Sequence, residues 1–153
     1  MKHIIILFSL ILSGASSFGQ EQLMLENESK KSFNETLAWI EKTATEKDWK
    51  VIAIHDLQAS MTKNGYEVLP VKVFALCKPE HAYKVLGKDD ERIVSSMMPC
   101  RLSVYEKSDG KTYLSRMNTR LMAGNFEGAV KEVMTVTTDE IEEMIKPILK
   151  LKD

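Results

Sequence analysis

A two-layer α+β fold, a mostly antiparallel sheet with helices packed on one face, is what the patterning of this 153-residue chain predicts. Three observations carry the prediction. Val71 to Cys77 and Cys100 to Glu106 alternate with the two-residue period of strands. Asp109-Gly110 then turns the second strand back into Thr112 to Met117, since both turn positions tolerate positive φ. Apolar residues recur at helical spacing on either side of this block, at Phe33, Leu37, Ile40 and Ala44 and again from Phe126 onward.

In chain order, Met1-Lys2-His3 is a basic start, Ile4 to Leu12 is apolar apart from Ser9, and Ser13 to Ser17 are small. That succession is a secretory signal peptide over residues 1–19, with cleavage before Gln20. Its apolar run is far short of the roughly 20 residues that span a bilayer. The expectation is a periplasmic or secreted protein with no membrane anchor after cleavage and one α+β domain over residues 20–153.

Gln22 to Glu26 is read as a first strand. Ser32-Phe33-Asn34-Glu35 forms a capping box that opens a helix ending near Asp48. Lys50 to Leu57 is β-branched and apolar, a strand. Asn64-Gly65 marks a turn and Pro70 a strand start. Val71, Val73, Ala75 and Cys77 share one face of the next strand, Lys72, Phe74 and Leu76 the other. Pro79 and Gly87 bracket a short helix, and Asp89 to Met98 a second helical turn. The tail carries two helical stripes, one over Phe126, Ala129, Val130, Val133 and Met134, one over Ile141, Met144, Ile145, Ile148 and Leu149; Pro147 kinks or ends the last helix. The expected core is Phe33, Leu37, Ile40, Val73, Ala75, Leu102, Val104, Ile141 and Ile145.

With 21 basic against 22 acidic residues and no clustering of either sign, the chain lacks the electrostatic footprint of a nucleic-acid binder. It also lacks a polybasic membrane patch. Its 28% charged and 44% hydrophobic residues are those of an ordinary globular protein.

Several segments resemble the family called domain of unknown function 302. They are Asp48-Trp49-Lys50-Val51, Leu69-Pro70-Val71-Lys72-Val73-Phe74, Leu76-Cys77-Lys78-Pro79, and Met98-Pro99-Cys100-Arg101-Leu102-Ser103-Val104-Tyr105-Glu106. The likeness covers roughly residues 22 to 150, and its most specific pieces hold both cysteines. It departs at Lys78, where the family usually has Asn. The resemblance implies a two-layer α+β fold related to the TATA-binding-protein architecture, and it brings no agreed activity.

Cys77 closes one strand and Cys100 opens another, so the two thiols are expected close enough to react or to share a ligand. Three readings stand side by side. A disulfide suits an oxidising compartment and would contribute about 3 kcal/mol. Two buried thiols would act as small hydrophobes. A thiolate pair would serve redox exchange or a soft metal. Met97, Met98 and His81 lie beside them, and thioether, thiolate and imidazole together suit Cu(I). Haem, held axially by Cys100, His81 or a methionine, is a weaker variant.

Among the remaining residues, His55 is read as a hydrogen-bonded structural histidine. Arg101, Lys72 and Arg116 would gather an anionic ligand if their sheet face is open, and Trp39 and Trp49 pack around the end of the first helix. No G-x-S-x-G, H-E-x-x-H, phosphate-binding glycine loop or His-Cys-Cys zinc spacing occurs. The sequence therefore reads as an extracytoplasmic small-ligand-binding or accessory domain without catalysis of its own, its site near Cys77, His81, Met97, Met98, Cys100 and Arg101. A thiol-redox or soft-metal protein and a homodimeric interaction module are the alternatives, with a small ligand or an exported protein as partner.

Overall fold

The computed structural model describes residues 22–150; the expected signal peptide and its cleavage site lie outside them. One five-stranded sheet runs through the molecule in the order β1-β5-β4-β3-β2, and every neighbouring pair is antiparallel. The strands are β1 (Met24–Glu28), β2 (Lys50–Asp56), β3 (Val71–Cys77), β4 (Cys100–Glu106) and β5 (Thr112–Met117). The helices are α1 (Phe33–Glu46), α2 (Leu57–Lys63), α3 (Pro79–Leu86), α4 (Thr119–Ala123) and α5 (Gly128–Ile145), with 3-10 segments at Asp90–Met97 and Lys146–Ile148. Among the described residues no helix is long and apolar enough to cross a membrane.

Three strands fall on the bounds the alternation predicts. β1 begins two residues later than expected, and β2 stops at Asp56 because that carboxylate caps a helix no stripe announces, accepting from the Ala59 N–H at 2.8 Å. α2 buries none of its residues, so it leaves no apolar period to read. The β4–β5 hairpin turns by a different device from the one expected: Gly110 takes positive φ (73°) and Asp109 does not. The Gly110 N–H donates to the Lys107 carbonyl at 2.9 Å, the pattern of a type I turn closed by a left-handed glycine. Most of the two tail stripes belongs to one continuous α5, with Phe126 before it and Ile148 and Leu149 beyond it; the helix ends at Ile145, two residues before Pro147, whose missing N–H cannot continue it.

α1 begins where the capping box places it, with the Ser32 N–H donating to Glu35 Oε2 at 3.0 Å. Its other end is a Schellman closure. The Trp49 N–H reaches the Ala44 carbonyl at 2.8 Å and the Asp48 N–H reaches Thr45 at 3.2 Å, with Asp48 left-handed at φ 60°. That closure drops Trp49 onto the core beside Ala44.

The core lies between α1, α5 and one sheet face, built from Phe74, Leu76, Leu102, Val104 and Leu114 with Ile40, Ile141 and Ile145. Leu102, Val104, Ile40, Ile141 and Ile145 are buried as expected, while Phe33 and Leu37 pack at the edge, half-buried. Ala75 is buried as expected, at 3% exposed, and Val73 is only half-buried. Both lie on the side of β3 away from the helices, since the covered face is the Phe74–Leu76 side, where Phe74 pairs with Leu102 and Leu76 with Cys100. A register shift between Val51 and Ala53 sends Val51 to the helix side with Leu76, and Ala53 and His55 to the other.

Candidate functional site

β3 ends at Cys77, and Pro79, fixed in φ, starts α3 two residues later. The chain returns through the 3-10 segment and Pro99 to begin β4 at Cys100, directly opposite Leu76. This excursion stands off the end of the sheet, and α5 packs across it through Val130 and Val133 against Val85 and Val94. The space left between them is a cavity of about 80 Å³. Cys77, His81, Met97, Met98 and Cys100 all line it, so five of the six predicted site residues meet in one place. The rest of its wall is mainly apolar, with Ala82 and Met134 among the contributors.

Both thiols are free. Burial pushes the Cys77 thiol above its ordinary range. Burial, followed by the proximity of Cys77, lifts Cys100 to about 11 despite a hydrogen bond with Thr137. Burial at both thiols thus works against the lowered thiolate that a redox pair requires. Among the described residues no three His, Cys, Asp or Glu side chains are grouped to hold a metal ion. The two thiols and the imidazole share a cavity without forming a ligand cluster. Haem is far too large for the space, given that about 150 Å³ is needed for a single benzene ring.

His81 is the most buried ionisable side chain of the cavity wall, 5% exposed, beside Lys78, Thr119 and Thr137. Its Nε2 lies 3.0 Å from Glu140 Oε1, while Nδ1 is buried with no hydrogen-bond partner. Glu140 collects three side chains: the Trp49 indole donates to Oε2 at 2.8 Å and Lys78 Nζ to the same oxygen at 2.9 Å. Burial alone would raise the Glu140 carboxyl, but the bonds from His81, Lys78 and Trp49 outweigh it and hold it below the usual carboxylate range. Glu140 is thus an anion, and Nε2 carries the proton that faces it. Nδ1 has no hydrogen-bond partner. Glu140 itself does not line the cavity, whereas His81 does.

Three members of this arrangement escape sequence reasoning. Glu140 is one acidic residue among many on a tail helix. Trp49 is read as packing alone, and it is 2% exposed, but its N–H is committed to Glu140. Lys78 sits where the resembling family usually carries Asn, and that departure supplies the ammonium group. Trp39 behaves as expected, packing at the core edge with its N–H on the Met144 carbonyl at 2.9 Å.

The expected anion cluster does not form. Lys72 shares the helix-covered face with Val104 and pairs with Asp56 at 3.1 Å. Arg116, opposite Leu102, is also on the covered side, 8% exposed. It donates to Glu142 through Nε at 2.6 Å and Nη2 at 2.7 Å, and to Asn27 through Nη1 at 2.7 Å. Arg101 is exposed and lines a second cavity, of about 130 Å³. His55 is exposed on the uncovered face, and its side chain makes no hydrogen bond among the described residues.

A family model described as "Domain of unknown function DUF302" matches residues 25–150. Among solved structures, an uncharacterized conserved protein DUF302 from Bacillus stearothermophilus is 19% identical. The match covers 83% of this chain and 98% of that one, with a TM-score of 0.73. That likeness is one of fold. No curated protein matches the chain.

Proposed function

The chain belongs to the DUF302 family, and from that premise we propose that it is a non-catalytic, extracytoplasmic binding domain whose cavity at the sheet end takes a small ligand. The ligand has an apolar body and one hydrogen-bond donor, which His81 Nδ1 receives. The carrying observation is the unpartnered Nδ1 of a buried histidine, 5% exposed, that lines a mainly apolar cavity. A buried acceptor left unmade costs about 1–3 kcal/mol, and a donor arriving with an apolar ligand recovers it. The raised thiols favour this reading over thiol redox exchange. Export rests on the signal-peptide pattern of residues 1–19. We read the fold as related to the TATA-binding-protein architecture, supported by an antiparallel sheet with helices on one side.

The test uses the short alcohols propanol to pentanol against the isomeric methyl ethers, methoxyethane to methoxybutane, which keep the shape and lose the donor. Each alcohol should bind about 5–10-fold more tightly than its ether, the worth of one hydrogen bond. The Nδ1 resonance of His81 in 15N NMR should move with alcohols only. Equal affinities for the two series, or an unmoved Nδ1 at saturation, would sink the reading.

A further inference from the structure

The cavity at His81 admits only a slender ligand. At about 80 Å³ it is roughly half the space that admits benzene. The second cavity, about 130 Å³, lies against it: Met97, Cys100, Met117 and Thr119 line both. Two of these shared walls are methionines, whose unbranched side chains change rotamer at low cost and fill whatever space is left to them. Met117 is already 38% exposed, so little packing holds it in place.

The second cavity also differs in charge. Its lining includes three ionised side chains, Arg101, Arg116 and Glu142. Arg116 and Glu142 are engaged with each other through two hydrogen bonds, and each balances the other. Arg101 has no ion pair or side-chain hydrogen bond among the described residues, although it lines the cavity and reaches solvent. Arg101 is paired with Ala75 on the uncovered face, so it stands at the rim of this cavity and adds one uncompensated positive charge there. A planar guanidinium in that position is suited to a carboxylate or phosphate oxygen pair.

We propose that the two cavities form one elongated site for an amphipathic anion. Its apolar, donor-bearing end lies at His81, its chain passes the Met97–Met117 partition, and its anionic head meets Arg101. This rests on the small-ligand reading above and adds the class of ligand. It accounts for two adjoining cavities that share four lining residues, and for a surface arginine with no partner among the described residues.

The test is a length series of ω-hydroxy acids, from ω-hydroxybutanoate to ω-hydroxydecanoate, against their methyl esters, with pentanol as the reference ligand. Titration calorimetry on the full chain reads the affinities. At the best-fitting length the acid should bind about tenfold more tightly than its ester, the worth of one charge-assisted hydrogen bond. That advantage should shrink as salt is added, because the head lies near solvent. Arg101→Gln should remove the preference for the acid, and Arg101→Lys, which keeps the charge without the fork, should keep part of it. Acid and ester binding alike at every length, with pentanol still bound, would overturn the joined site and leave the small-ligand reading in place. Failure of pentanol itself to bind would overturn that reading instead.

Discussion

Glu140 accepts from an indole, an ammonium and an imidazole contributed by three different parts of the chain, all through one carboxylate. Because its folded-state pKa lies below the ordinary 4.5, it binds fewer protons folded than unfolded. Its stabilisation is therefore fully present above that ordinary value and is lost as pH falls through the lower folded value. Glu140→Gln cannot be protonated in this range. It should be less stable than the parent at about pH 7, and the difference should narrow between about pH 5 and about pH 3. Urea midpoints measured across that range check this, and a constant gap would show that the carboxylate's charge is not what matters. At this scale the sequence is legible in part. Cys77, Cys100 and His81 stand out because cysteine and histidine are rare in this chain, and Met97 and Met98 because they directly precede Pro99-Cys100. Glu140 is 59 residues from His81 and chemically ordinary, so only the tertiary fold reveals it.

The end of α1 sets the position of Trp49, and through it one corner of the Glu140 cluster. The Schellman geometry wants a residue that sits in the left-handed region without strain, which is usually glycine, and here Asp48 occupies it at φ 60°. Asp48→Gly should therefore raise stability by about 0.5–1 kcal/mol while leaving the cluster intact. Thermal or urea unfolding gives the sign, and a loss of stability would mean that the aspartate makes a compensating interaction. Elements with a strong period, such as β3, β4 and α5, could be read directly from the chain. α2 and the five-residue α4 could not, since a short helix with few or no buried side chains carries no stripe. Alternation also tells which residues share a face without telling which face is covered. In β3 both sides are apolar enough to qualify, and only the register with Leu102 decides.

The whole molecule is one-sided: helices cover one face of the sheet and the other has no packed layer among the described residues. Two substitutions of similar appearance should therefore differ sharply. Leu102→Ala opens a cavity at a fully buried position and should cost about 2–5 kcal/mol. Val73→Ala, one strand away on the uncovered side, should cost about 1 kcal/mol or less. Comparable losses at the two sites would mean that the uncovered face is packed in solution.

One seam runs between the two ends of the described chain. β1 is an edge strand paired to β5, and just past it the backbone is bonded to the segment that follows α5. The Lys30 N–H donates to the Ile148 carbonyl at 2.7 Å and the Lys150 N–H to the Glu28 carbonyl at 2.8 Å, with Ser29 bridged to Leu149. A polypeptide emerges with its N-terminus first, whether from a ribosome or through a membrane pore. The earliest strand therefore has no partner until β5 has followed it, and its seam stays open until residue 150 is free. Closure of this seam therefore waits on the segment from Ile148 to Lys150, and a chain truncated before Ile148 would leave the end of its first described strand half-docked and exposed to proteases.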